Sequence, residues 1–552
     1  MLATPEALTQ RVAELEQQLT DERRQSAEKQ RDLEHAAQRQ HNKQQRLIDQ
    51  LQAQLRALQQ QRFARSSEKH PGQVELQFFN EAELLQLEAV LAEQPDTRDG
   101  VAVTAHTRKP KRSHALPAQL PRVEVVHDLE DADKVCACGE TLSLIGHESL
   151  EQLSVIPLQY YVILHKKCKY ACSCKNAGVR TASMPNQPLP GSQASPQVIA
   201  QTLVAKFHDG LPLYRQEKIA AREGLELPRA KLARWQIDGS AVFQPLWNLL
   251  QDTFFSHDIA WADETGLQVL KEDDRAPENK SYLWIRRGGP PAKPVVLVDY
   301  SPSRSGETAY SLLDDFAGYL VCDAYAGYNK AIERNALKPV FCNDHARRKF
   351  MDVLKSVGKS KTKSKRNKTT SPGTEGWVAT KAIAFYKTLY RLEKTIHTLS
   401  AEDKFTRRQE QAVPAWEAFI AWAKEVQRLG VAHKETRVAL NYLLKHETGL
   451  RRYCDDGRLP ISNILAEHVA KAIAVPRKNF LFADTPAGAD ASARIYSVLE
   501  TAKANGHNPQ RYLSVLLTEL PNATTIEQVE ALLPWKLSLE EVNRRYALYP
   551  AP

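Results

Sequence analysis

Asp258-Ile-Ala-Trp-Ala-Asp263 is a short apolar run that ends on a carboxylate, and Ala317-Gly-Tyr-Leu-Val-Cys-Asp323 repeats that design sixty residues later. Runs of this length, rich in aliphatic and aromatic side chains, read as strands. Three more accompany them: Tyr282-Leu-Trp-Ile-Arg286, Pro294-Val-Val-Leu-Val-Asp-Tyr300 and Lys338-Pro-Val-Phe-Cys342. Five strands followed by helical stretches predict a mixed α/β domain beginning near residue 255. A third carboxylate, Glu467, closes Ser462-Asn-Ile-Leu-Ala-Glu467 at the start of a helical stretch. Three convergent carboxylates stay charged and close only around a cation, and hard divalent ions such as Mg²⁺ or Mn²⁺ take oxygen ligands. Two such ions can clamp the attacking and leaving oxygens of a phosphoryl transfer. The pattern therefore predicts an enzyme that cuts and joins DNA.

The whole chain suits that reading. Its 552 residues are enough for several domains, and a net charge of +9 favours a polyanionic partner. No run of 18 apolar residues and no basic-then-apolar leader is present, which argues against a membrane span or secretion and predicts a cytoplasmic, nucleoid-associated protein with reduced cysteines.

Upstream of the strands, residues 190–245 read as three helices interrupted at Asp209-Gly210 and Gly224, compatible with a helix-turn-helix DNA-binding domain. Residues 131–178 hold five of the eight cysteines. Cys136, Cys138, Cys172 and Cys174 form two close pairs that suit one tetrahedral, structural Zn²⁺, with His165 and Cys168 as spare ligands. Residues 63–130 read as a linker with a basic cluster, Arg108, Lys109, Lys111 and Arg112. In residues 1–62, Leu8, Val12, Leu15 and Leu19, then Ile48, Leu51, Leu55 and Leu58, step by three and four. So polar a helix needs a partner, and the steps predict a coiled coil that makes the chain a homo-oligomer.

Downstream, residues 351–450 form a helical stretch opened by a basic loop containing Lys365 and Arg366, a segment suited to phosphate backbone. Trp377, Phe385, Tyr386, Tyr390 and Leu392 are its core candidates. Residues 451–515 carry further helices, and 516–552 read as a C-terminal tail. Of the remaining acids, Glu264 should point to the opposite face from Asp263. Asp299 is read as orienting Arg304, and Asp344 as capping the helix that carries His345. His345, Cys322, Cys342 and Cys454 read as structural residues. Arg347, Arg348, Arg477 and Lys478 are read as contacts to the DNA backbone.

These segments, in this order, resemble the large transposase of the insertion sequence 66 family. The resemblance is carried by Arg65-Ser-Ser-Glu-Lys69, Leu116-Pro-Ala-Gln-Leu-Pro121, Leu211-Pro-Leu-Tyr-Arg-Gln-Glu-Lys218, Ala262-Asp-Glu-Thr265 and Asp323-Ala-Tyr-Ala-Gly-Tyr328. His345-Ala-Arg-Arg-Lys-Phe350, Arg477-Lys-Asn-Phe480, Glu500-Thr-Ala-Lys503 and Leu532-Leu-Pro-Trp535 complete it. It implies an RNase H-like catalytic core, 255–350 and 451–515, divided by a helical insertion. It also implies a catalytic Asp263, Asp323, Glu467 triad holding two Mg²⁺, a zinc finger, an N-terminal leucine zipper and small companion proteins from the same element. The family's third-acid motif reads Asp-Asn-Asn-Ala-Ala-Glu. Here Ser462 and Ile464 replace the first Asp and second Asn, so a catalytically impaired DNA-binding descendant is the alternative. A coiled-coil scaffold is a third reading and leaves the acid motifs unexplained.

Overall fold

A computed structural model describes residues 159–171, 179–360 and 375–548. The segments read as coiled coil and linker, the four cysteines Cys136, Cys138, Cys172 and Cys174, and the loop residues Lys365 and Arg366 lie outside them. Residues 64–162 separate as their own unit, of which 159–162 are described and form no helix or strand. Everything below belongs to the other unit.

A two-stranded hairpin, β1 (Lys169–Ala171) and β2 (Val179–Thr181), comes first. Four helices follow: α1 (Pro196–Phe207), α2 (Leu213–Arg222), α3 (Arg229–Ala241) and α4 (Gln244–Phe255). Gly224, at φ +73°, turns the chain between α2 and α3, a conformation open to glycine at little penalty. Gln216 of α2 donates to the carbonyls of Thr202 and Leu211, which fixes α2 on α1.

The sheet then forms from β3 (Ile259–Val269), β4 (Lys280–Gly288), β5 (Val295–Ser301), β6 (Tyr319–Cys322) and β7 (Lys338–Phe341), in the order β5-β4-β3-β6-β7. β4 runs antiparallel to both β3 and β5; β6 and β7 run parallel to β3. Short helices α5 (Gly306–Leu312) and α6 (Asn329–Arg334) bracket β6. All five predicted strands are present, but β3 does not stop at Ala262. It continues through Asp263 to Val269, because β4 pairs with it from Trp261 to Gln268. On its other edge β3 pairs with β6 only over Ile259–Trp261, and with the two-residue β8 (Phe482–Ala483) at Gln268 and Val269. The stretch between those pairings carries Asp263.

From β7 the chain enters α7 (Asn343–Ser360), then α8 (Glu375–Ile396), α9 (Ala401–Arg407), α10 (Val413–Leu429), α11 (Lys434–Lys445) and α12 (Glu447–Arg451). It returns through α13 (Ile464–Phe480) and α14 (Pro486–Ala504), and ends in α15 (Pro509–Glu519), α16 (Ile526–Glu530) and α17 (Leu539–Ala547). The stretch read as a tail is folded, with Leu532, Leu533, Leu537 and Val542 buried. Helices α1, α14 and α15 start alike: Ser195, Thr485 and Asn508 cap with their side chains, and a proline fills the first turn.

The helices between α7 and α12 share one core with the sheet. Ile259, Val321 and Val340 of the strands join Phe350, Tyr386, Trp416, Phe419 and Leu443 of the helices. Of the core residues expected there, Tyr386 and Leu392 are buried, while Trp377, Phe385 and Tyr390 pack against the cluster half-buried.

The outer edge of β5 is sealed by α14. Thr501 and Ser497 accept the backbone N–H of Val296 and Val298 at 2.9 and 2.8 Å, and each hydroxyl donates back to the carbonyl of the same residue. An uncovered edge would invite pairing with other chains. Ser497→Ala leaves buried backbone groups unsatisfied and is expected to lower stability by about 1–3 kcal/mol in chemical denaturation.

Candidate active site

Asp263 and Asp323 come together through register. Ile259, Ala260 and Trp261 pair with Tyr319, Leu320 and Val321, so continuing the two parallel strands brings Asp323 level with Asp263. Neighbouring strands lie about 4.8 Å apart. Asp323 follows the last residue of β6, and its Oδ1 accepts the Tyr325 N–H at 3.1 Å. Asp263 lies within β3, and its Oδ1 accepts the Glu264 N–H at 2.9 Å.

Glu467 arrives in the first turn of α13. The residue that docks this turn is Asn463. Its Nδ2 donates to the carbonyl of Ala262 at 2.8 Å, on the β3 edge beside Asp263, and its backbone N–H meets Cys342 Sγ at 3.2 Å. The one Asn of the altered motif that persists is thus the one that anchors the third acid to the first.

Asp263 senses Asp323 and Glu467, and Asp323 senses Glu467. Burial, then the charges of Glu264, Asp323 and Glu467, hold the Asp263 carboxyl well above the usual carboxylate range. Asp323 is pushed up to about 6, by burial and then by Glu264, with Glu467 adding to it. Glu467 is raised too, chiefly by burial, against the lowering effects of Cys342 and Arg348. Crowded, half-buried carboxylates raised in this way are a donor set that a divalent cation would satisfy.

Glu264 is engaged elsewhere. It is almost fully buried, ion-paired to Arg304 through Nε (2.7 Å) and Nη2, and accepts the Tyr328 hydroxyl at 2.7 Å. Arg304 in turn lies over the Tyr325 ring, 3.8 Å from its centroid. The expectation that Asp299 orients Arg304 is therefore wrong. Asp299 binds Arg286, at 2.9 and 3.0 Å, on the neighbouring strand. Sequence could not distinguish the two arginines, because the pairing depends on which strand adjoins β5. Asp344 is the second residue of α7 and not its cap; it accepts the Tyr390 hydroxyl at 2.7 Å.

The basic residues divide. Arg348 is near enough to Glu467 and His345 to affect both electrostatically. Arg347 is 3.8 Å from Asp344 and lies over the Tyr390 ring. Lys478 is exposed, whereas Arg477 is half-buried with its guanidinium near Gly266 of β3. His345 and Cys342, read as structural residues, both face Glu467. Their Cys-x-x-His spacing, a frequent metal-ligand pattern, was the signal that could have singled them out.

Residues 191–491, more than half of the chain, match the model of the Transposase IS66 family. The chain belongs to this family. Further models of the IS66 set match in order: "Transposase C of IS166 homeodomain" over 50–125, the zinc-finger binding domain of transposase IS66 over 133–175, and the IS66 C-terminal element over 497–535. The zinc-finger match supports a Zn²⁺ ion in the cysteine module. Similar proteins include the uncharacterized proteins y4jD and y4hP of Sinorhizobium fredii. The first is 31% identical over 443 residues, covering 78% of this chain and 83% of the relative. The second is 27% identical over 498 residues, covering 89% and 87%. Among the described residues, no helix is long and apolar enough to cross a membrane.

Proposed function

We propose that this IS66-family chain is a DNA transposase that cleaves the ends of its insertion element and joins them to target DNA. The observation that supports the proposal is the electrostatic proximity of Asp263, Asp323 and Glu467, carried on two adjacent parallel strands and one helix. The order β5-β4-β3-β6-β7, with three antiparallel strands followed by two parallel ones, supports reading the domain as an RNase H-like core. Asp263, Asp323 and Glu467 would hold Mg²⁺ or Mn²⁺, which when bound would lower the pKa of the attacking oxygen and offset charge on the transferring phosphoryl group. The protein's own part is placement. Asn463 ties the helix of Glu467 to the strand of Asp263, and Arg304 with Tyr328 occupies Glu264 so that it stays out of the ligand set.

For DNA, α2 and α3 expose Arg215, Lys218, Arg222, Arg229 and Arg234 around the Gly224 turn, a face suited to a phosphate backbone. Arg347, Arg348, Lys365, Arg366, Arg477 and Lys478 are proposed as further contacts. Zn²⁺ at Cys136, Cys138, Cys172 and Cys174, homo-oligomerisation through residues 1–62, small companion proteins and a cytoplasmic site of action belong to the same proposal.

A strand-transfer assay with labelled element ends tests it. Mg²⁺-dependent products that disappear in Glu467→Gln are expected. DNA binding without cleavage in any divalent metal would instead favour a catalytically impaired DNA-binding descendant, the reading suggested by Ser462 and Ile464. Asn463→Ala should slow the reaction roughly 10–100-fold with DNA affinity little changed, since a displacement of about 1 Å at a reacting centre has that effect. Equal losses in binding and rate would deny Asn463 this role.

A further inference from the structure

The junction of β7 and α7 takes part in a second donor set, which shares Glu467 with the first. Cys342 Sγ lies 3.3 Å from Glu467 Oε1, and His345 Nδ1 lies 3.4 Å from the same oxygen. All three ligand atoms fall within 4.8 Å of one another, and among the described residues they form the His/Cys/Asp/Glu group gathered this tightly. Around a tetrahedral ion with bonds of about 2.0–2.3 Å, neighbouring ligand atoms stand roughly 3.3–3.8 Å apart. Both distances to Glu467 have that length. His345 Nδ1 is also buried without a hydrogen-bond partner among the described residues, although it points at this group. A sulfur, a nitrogen and an oxygen are ligands for a borderline-soft ion, whereas Mg²⁺ takes oxygen.

We propose that Cys342, His345 and Glu467 form a Zn²⁺ site that competes with the Mg²⁺ site for Glu467 and holds the protein inactive while zinc is bound. Binding releases the Cys342 thiol proton to solvent, and thiolate plus carboxylate then match the charge of the ion. The backbone N–H of Asn463, 3.2 Å from Cys342 Sγ, is placed to support the thiolate. His345 and Glu467 are only half-buried, which leaves an approach for the ion and room for a fourth ligand. The inhibitory half of this inference rests on the proposed catalytic role of Glu467; the binding half does not.

The test uses the full chain and Zn²⁺ itself, counted by competition with a chromophoric chelator. Wild type is expected to bind one equivalent more than Cys342→Ser, His345→Gln or Glu467→Gln, the cysteine module contributing equally to all four. Free Zn²⁺ at about ten times its Kd should reduce Mg²⁺-supported strand transfer about tenfold in wild type, reversibly on chelation. His345→Gln, at a half-exposed position that leaves the buried thiol in place, should lose that sensitivity relative to its own Mg²⁺-only rate. Equal zinc counts in wild type and His345→Gln would overturn the site. Equal inhibition in the two would overturn the competition. A chain inactive with Mg²⁺ but binding the extra equivalent would refute the transposase reading alone.

Discussion

Asp263→Asn is expected to abolish Mg²⁺-dependent cleavage and joining while making the metal-free protein more stable. A metal-borne contribution of several kcal/mol to the transition state corresponds to a loss on the order of 10³-fold or more, because each 1.36 kcal/mol is about tenfold in rate. The gain in stability follows from linkage. An acid whose pKa is raised on folding binds its proton more tightly in the folded state, so its contribution to stability falls as pH rises from the ordinary carboxylate range through the raised value. For Asp323 that window ends at about 6. Asp263 is shifted the same way, first by burial. Once these carboxylates are ionised, metal-free wild type carries mutually repelling, poorly solvated charges, which Mg²⁺ would relieve. Calorimetry on the alkaline side of the Asp263 transition should show a higher Tm for Asp263→Asn than for wild type without metal, and a smaller rise on adding Mg²⁺. A lower metal-free Tm, or full activity, would remove Asp263 from the site.

Trp416→Ala is expected to lower stability by about 3–5 kcal/mol, the usual range for deleting a large buried aromatic side chain. Trp416 is fully buried, tilted against Phe419 at a centroid distance of 5.7 Å, edge-on to Tyr386, and donates its indole N–H to the Tyr453 hydroxyl at 3.2 Å. Because the same cluster reaches Ile259 and Val321 in the sheet, the loss should appear as one shifted unfolding transition reported by probes in both regions. Two separated transitions, with the sheet unaffected, would show that the helices between α7 and α12 fold on their own.

The five strands were legible because each contains a short run rich in apolar residues, and the first helices because Asp209-Gly210 and Gly224 mark the breaks between them. What escaped depends on partners far away in sequence. Gly266 and the polar residues 263–265 suggest a break, and only pairing with β4 keeps them in β3. Arg304 and Arg286 are equivalent in sequence and distinct in space. In the site, Asp263 and Asp323 stood out as acids ending strands. Glu467 was assigned by resemblance, and nothing local shows that Asn463 reaches across to Ala262. Cys342 and His345 were legible as a spacing but were read as structural residues, because their common neighbour lies more than a hundred positions later.

Glu467 follows Asp323 by 144 positions. At roughly 5–20 residues per second, a growing chain displays both aspartates for about 7–30 s before the glutamate has been made. A nascent or prematurely terminated chain thus carries the sequence of the basic helices α2 and α3 and two of the three acids, and no complete ligand set. Chains released before residue 461 are expected to leave element ends uncut. Translation would then act as the safety catch of the reaction.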